Sequence, residues 1–145
     1  MSSTSLEVGL AIEGEEFEAL WKRVADRLQL PEREKSREMF REMLKALVLF
    51  SNKQHDYSSV NIAVGGEVGV FTRITDKWAR LFSYYRMGKK MRNESIEDTW
   101  RDMAVYALIA LILLKQKWRL TEEELAALLG NSVHGEQPAV AEQDW

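Results

Sequence analysis

Apolar residues recur at helical spacing along most of the chain, and no segment shows the alternation that predicts a β-strand. The first apolar stripe runs through Phe17, Trp21 and Leu28 and predicts an amphipathic helix. Thr121 and Glu124 have the spacing of a capping box, which predicts the start of a short last helix. The full set of predicted helices covers residues 15–28, 32–51, 70–87, 96–118 and 122–129.

The segments outside these helices are predicted to be a loop and two loose ends. Closely spaced glycines predict a loop over residues 52–69. Residues 1–13 are predicted to be a flexible N-terminus, and residues 131–145 a disordered tail. Residues 14–130 then form a single all-α domain. Its simplest architecture is a four-helix bundle core with an additional short C-terminal helix.

The composition narrows the class of protein. The chain has 145 residues, 46% of them hydrophobic, and it contains no cysteine, so a cytoplasmic location is expected. A formal net charge of -3 argues against general binding of duplex nucleic acid, because such proteins are usually basic. The longest apolar run, 103–114, covers about 12 residues, whereas a membrane span needs about 20. We therefore expect a buried helix and no membrane partner.

Three acidic residues at the start of the fourth predicted helix are the first candidates for chemistry. Glu94, Asp98 and Asp102 recur every fourth residue, so we expect them to share one face and repel one another. Asp102 also precedes an apolar run, where an unpaired carboxylate is costly to bury. A bound Mg²⁺ would offset both costs. In the alternative interpretation Asp98 only complements the helix dipole.

Two further groups of polar residues accompany the acidic stripe. On the third predicted helix, Asp76 can complete a metal site. Three cations lie beside it on that helix and are typical of a surface that binds phosphate, namely Arg73, Lys77 and Arg80. The alternative is an exposed face of ion pairs. The predicted loop carries donors and an aromatic ring that suit a base or a sugar, although the same sequence also forms turns; these residues are Lys53, His55, Asp56, Tyr57 and Asn61. The basic run Arg86, Lys89, Lys90 and Arg92 is interpreted as a solvated linker, with phosphate contact as the alternative.

Taken together, the motifs K-x-H-D-Y, G-x-x-G-V-x-x-R-I-x-D-K-x-x-R-L and N-E-S-I-E-D-T-x-x-D-x-A-x-Y-A-L resemble a known family. They are similar to the nucleotide-modification-associated domain of phages, which is thought to be related to MazG-like all-α nucleoside triphosphate pyrophosphohydrolases. The resemblance covers residues 53–114. The standard MazG pattern E-E-x-x-E followed by E-x-x-D is absent in that form, so a non-catalytic nucleotide-binding module stays open.

The resemblance and the residues lead to one main hypothesis, a Mg²⁺-dependent pyrophosphohydrolase that acts on (deoxy)nucleoside triphosphates and releases pyrophosphate. The predicted metal ligands are Asp76, Glu94, Asp98 and Asp102, and these four form the predicted catalytic set together with Lys77. The predicted substrate-binding residues are Lys53, His55, Asp56, Tyr57, Asn61, Arg73 and Arg80. The alternative hypothesis is nucleotide capture linked to phage nucleotide or DNA modification. A generous supply of aromatic residues and methionines also predicts a homo-oligomer, most simply a dimer.

Overall fold

The computed structural model describes residues 13–56, 59–92 and 94–130, with only the backbone of Asp56. These residues form helices and no strand, which confirms the predicted all-helical class. A four-helix bundle core stays a prediction, and the loose ends predicted over 1–13 and 131–145 fall almost wholly outside the described residues. The helices are α1 (Gly14–Leu28), α2 (Glu34–Asp56), α3 (Val60–Met87), α4 (Ile96–Leu114) and α5 (Glu122–Leu128).

The prediction of a loop over residues 52–69 is wrong for most of that segment, which is helical. Helix α2 continues to Asp56, and α3 already begins at Val60. The glycines produce a single kink in α3, because within this helix only Gly66 takes a non-helical conformation, with φ 60° and ψ -161°. Glycine adopts a positive φ without steric cost, so the helix changes direction there and resumes. At the other end, α4 stops at Leu114, before the predicted end at residue 118.

The first compact unit, within residues 13–52, contains α1 and most of α2. Its core is formed by Phe17, Trp21 and Ala25, and the Phe40 ring lies 5.9 Å from the Phe17 ring between centroids. The Glu32 side chain accepts hydrogen bonds from the backbone N–H groups of residues 35 and 36, at 2.9 and 3.1 Å. These bonds satisfy free donors at the start of α2 and explain why the helix begins after the predicted residue 32.

The second unit, residues 53–130, holds the end of α2 and helices α3 to α5. Helices α3 and α4 run antiparallel, since Tyr85 contacts Trp100 while Lys77, two turns earlier on α3, contacts Asp102 further along α4. Their buried apolar residues are Ile62, Val70, Leu81, Val105, Tyr106 and Ile109. The capping box predicted at Thr121 and Glu124 is confirmed. The Glu124 carboxylate also accepts hydrogen bonds from Ser59 N at 2.8 Å and Ser59 Oγ at 2.7 Å, so it joins α5 to the first turn of α3.

The apolar part of α4 is not a membrane span. Across the described ranges, no helix combines the length and the hydropathy that crossing a bilayer requires. The inward face of α4 is instead buried by residues of the second unit, with Val105 and Ile109 among its least exposed side chains.

Candidate functional site

A buried lysine connects α3 with the beginning of α4. Lys77 Nζ lies 2.7 Å from Glu94 Oε1 and 2.8 Å from Asp102 Oδ2, and the lysine is only 4% exposed. An ammonium group is costly to remove from water unless carboxylates surround it. The position of Lys77 is therefore explained by the two acids, and the position of the acids by the lysine.

Glu94 reaches this cluster from the segment before α4 and not from the helix itself. Its carboxylate also pairs with the Arg80 guanidinium, and Thr99 Oγ1 donates a hydrogen bond to Oε2 at 3.0 Å. Burial raises the pKa of Glu94, but hydrogen bonds from Asp102, Lys77 and Arg80 outweigh burial and lower that pKa to about 2. Glu94 is therefore a carboxylate at every ordinary pH.

Asp102 is the second acid of the cluster, and its environment acts in the opposite direction. Burial and the neighbouring Glu94 carboxylate raise the pKa of Asp102 despite its contact with Lys77. Lys53 Nζ, at the end of α2, lies 3.8 Å from Asp102 Oδ1. Two adjacent carboxyl groups with opposed pKa values are the arrangement in which one can hold a proton while the other stays charged.

Tyr106 lies one turn further along α4 and is fully buried. Burial raises the pKa of Tyr106 to about 12, although a hydrogen bond from Arg73 acts to lower it. The phenol is therefore neutral at ordinary pH. Arg73, predicted to bind substrate, is thus placed against the interior of the second unit.

A cavity of about 420 Å³ opens beside this cluster, where α3 ends. Gly88 ends the helix with a positive φ of 66°, and Lys89 N donates to Ser83 O at 3.1 Å, so the chain folds back over the last turn. This turn gives the cavity a wall of cations with one acid among them. The charged residues that line it are Arg80, Lys89, Lys90, Arg92 and Glu94.

The structure brings only part of the predicted site together. One connected cluster of ion pairs contains Lys53, Lys77, Arg80, Glu94 and Asp102. Asp76 and Asp98 are exposed instead. Asp98 Oδ1 lies 3.4 Å from an Arg101 guanidinium nitrogen, and its backbone N–H donates to Ser95 Oγ. Of the three predicted acids, only Glu94 and Asp102 meet in the cluster, because Glu94 reaches it from before the helix and Asp98 is exposed in the first turn of α4.

The donors predicted for magnesium therefore do not assemble in this arrangement. Within residues 13–56, 59–92 and 94–130, no three histidine, aspartate or glutamate side chains are grouped as a metal site requires. Glu94 and Asp102 do meet, but the Lys77 ammonium contacts both carboxylates. A divalent cation could use this pair only if the lysine moved away.

The residues predicted to read a base or a sugar are spread over the ends of two helices. His55 is exposed near the end of α2, and Asn61 is half-buried in the first turn of α3. Asn61 Oδ1 accepts from Ile62 N at 2.9 Å, and its Nδ2 is buried with no hydrogen-bond partner among the described residues. The Asp56 side chain and Tyr57 lie outside what is described.

No protein-family model, curated protein or solved structure matches the chain. The family resemblance of residues 53–114 therefore stays a prediction. One residue of the site was missed in the sequence. Thr99 was not singled out, although its place four residues after Ser95 on α4 is the available signal. Lys89, Lys90 and Arg92 line the cavity, which supports phosphate contact as the alternative to a solvated linker, and Gly88 is the residue that turns this run back onto α3.

Proposed function

We propose that the protein binds the phosphate groups of a nucleotide in the basic cavity at the end of α3. The observation that carries this proposal is the local charge. Four cations and one acid line the cavity of a chain whose formal net charge is -3. A concentration of positive charge in an otherwise acidic protein attracts anions to that place and not to the whole surface.

The residue types in the cavity support phosphate as the ligand. The guanidinium groups of Arg80 and Arg92 suit bidentate contacts with phosphate oxygens, and Lys89 and Lys90 supply compact charges. Glu94, the acid among the described residues that line the cavity, is already engaged by Lys77 and Arg80, so it opposes an incoming anion less than a free carboxylate would. The volume of about 420 Å³ also falls within the range of small-molecule sites, about 300–1,000 Å³.

A nucleotide is proposed among phosphate ligands because of the motifs in residues 53–114. The test is isothermal titration with a panel of ribo- and deoxynucleoside triphosphates, with tripolyphosphate and unphosphorylated nucleosides as comparisons. We expect micromolar affinity for triphosphates, weaker affinity for tripolyphosphate and none for nucleosides. Binding should weaken as salt increases, because the contacts are between exposed charges.

A charge-reversed pair of variants makes the test specific to the cavity. Arg92→Glu should weaken triphosphate binding by at least about tenfold, because it replaces an attraction by a repulsion. Lys117→Glu makes the same change of charge at an exposed position that does not line the cavity, and should leave the affinity nearly unchanged. Equal affinities for wild type and Arg92→Glu, or no binding of any triphosphate, would refute the proposal.

Hydrolysis of the bound nucleotide to a monophosphate and pyrophosphate is the second candidate. The Glu94 and Asp102 carboxyl groups favour it, because adjacent acids with opposed pKa values are typical of acid–base sites. Incubation of each triphosphate with Mg²⁺, followed by chromatography, is the test. Asp102→Asn should abolish product formation, whereas Asp98→Asn at the exposed position should retain it. If no substrate yields a monophosphate, capture without turnover is the remaining function.

A further inference from the structure

An apolar face on the second unit is built like the contact surface of a helix pair. On α4, Trp100, Ala104, Ala107, Leu111 and Leu114 are all exposed. Their spacing alternates between four and three residues, which is the repeat of the contact positions in packed helices. Isolated exposed apolar residues need no explanation, but a continuous stripe in this register over most of a helix does.

The α4 stripe continues onto α3, where three aromatic side chains lie beside Trp100 of α4. Tyr85 and Trp100 lie 6.5 Å apart between ring centroids, and Trp100 Nε1 donates to the Tyr85 hydroxyl at 3.1 Å. The Trp78 and Phe82 ring centroids lie 5.3 Å apart, and together with Tyr85 and Trp100 these side chains line an apolar cavity of about 770 Å³ between α3 and α4. The aromatic groups therefore hold one another in place while about half of each ring surface faces solvent.

We propose that this face, defined by the α4 stripe and the α3 aromatics, is the contact surface with a second copy of the chain. Area is the first argument. The four aromatic residues are 44–59% exposed, so they alone present roughly 400 Å² of apolar surface, given about 150–250 Å² for a buried aromatic side chain. The exposed leucines of α4 bring this towards the roughly 800 Å² that each partner contributes to a standard interface.

The composition of the face is the second argument. No charged residue occupies the stripe positions of α4, and charged residues are depleted at the centre of protein interfaces while aromatic ones are enriched. Ala104 and Ala107 lie at its centre, and small side chains there allow two α4 helices to approach closely. A two-fold arrangement, in which the same face meets itself, is the commonest way to bury such a surface.

This inference does not depend on the phosphate site, and its test is the mass of the full chain in solution. Light scattering should give about twice the chain mass of 16.8 kDa at high micromolar concentration. Ala104→Glu should raise the dimer dissociation constant at least about tenfold, because it places like charges in the contact. Ala79→Glu is the matched control, since Ala79 is exposed in the middle of α3 but lines the basic cavity and not this face.

A wild-type monomer, or a dimer that Ala104→Glu and Ala79→Glu affect equally, would overturn the inference. Single cysteines decide the question if Ala104→Glu fails to fold, because the chain has no cysteine of its own. Mild oxidation should cross-link Ala104→Cys or Ala107→Cys into a disulfide-bonded dimer but not Ala79→Cys. Cross-linking at none of the three positions, or equally at all of them, would overturn the inference.

Discussion

Lys77→Met removes a positive charge that contacts both acids of the buried cluster, while nearly conserving the volume of the side chain. The lysine ammonium is 2.7 Å from Glu94 and 2.8 Å from Asp102. Breaking a buried ion pair from one side costs about 3–5 kcal/mol, because it leaves an uncompensated charge. Arg80 and Lys53 remain near the carboxylates, so we expect the lower end, about 3 kcal/mol at neutral pH, or a loss of roughly 6–12 °C in Tm.

The pH dependence separates this explanation from simple loss of packing. In the wild type, the low pKa of Glu94 contributes stability above its ordinary value of 4.5, and that contribution is lost as pH falls towards about 2. In Lys77→Met the pKa of Asp102 should rise further, because its partner is gone. A raised folded-state pKa favours the folded protein at low pH. The difference in stability between variant and wild type should therefore shrink between pH 7 and pH 4.

Urea unfolding followed by circular dichroism at several pH values measures these free energies. Lys90→Met, which removes an exposed lysine of the same unit, is the control and should change stability by less than about 0.5 kcal/mol. Adding Asp102→Asn to Lys77→Met should recover part of the loss, because it removes one of the two facing charges. A deficit that is independent of pH, or no larger than that of Lys90→Met, would refute the reasoning.

Three smaller predictions follow from the same contacts. In urea unfolding, Asp98→Asn should lower the free energy of unfolding by less than about 1 kcal/mol, because Asp98 is exposed. Asp102→Asn should lower it clearly more, because Asp102 is buried, and equal losses would contradict the placement of the two acids. Glu124→Ala should lower the free energy of unfolding by about 1–3 kcal/mol, because it removes two hydrogen bonds from Ser59. Glu123→Ala, at the exposed neighbouring position, should have a small effect, and similar losses in the two variants would refute the link between Glu124 and Ser59. Millimolar Mg²⁺ alone should raise the wild-type Tm by less than about 1 °C, because Lys77 occupies the acid pair, and a rise of several degrees would contradict this.

The bounds of α1 and α5 could be predicted from the sequence to within one residue. The start of α1 differs by one residue from the predicted 15, and the capping box of α5 lies where Thr121 and Glu124 indicate. The prediction of a loop before residue 70 was wrong, because three nearby glycines do not all leave the helical conformation. Only Gly66 leaves the helical conformation, and the apolar residues on either side of it, such as Ile62 and Val70, are buried and hold the helix in place.

The site was harder to predict because, of two neighbouring charged residues on a helix, one can be buried and the other exposed. Asp76 and Lys77 are about 100° apart around α3, and both were possible members of an inward face. The structure buries the lysine and exposes the aspartate, since the facing residues are the acids Glu94 and Asp102. Helical spacing alone could not reveal this choice, which depends on charges that meet only after α3 and α4 pack together.

The two candidate functions place opposite demands on Lys77. Capture of a phosphate group in the basic cavity requires the lysine to stay, because Lys77 pairs with Glu94, the acid that lines the cavity, and so reduces its repulsion of an anion. A divalent cation shared by Glu94 and Asp102 requires the ammonium to leave a site where it is 4% exposed. The first demand is met by the arrangement as it stands, whereas the second needs a buried ion pair to open. Charge balance in the resting fold therefore favours an anion over a cation as the first ligand.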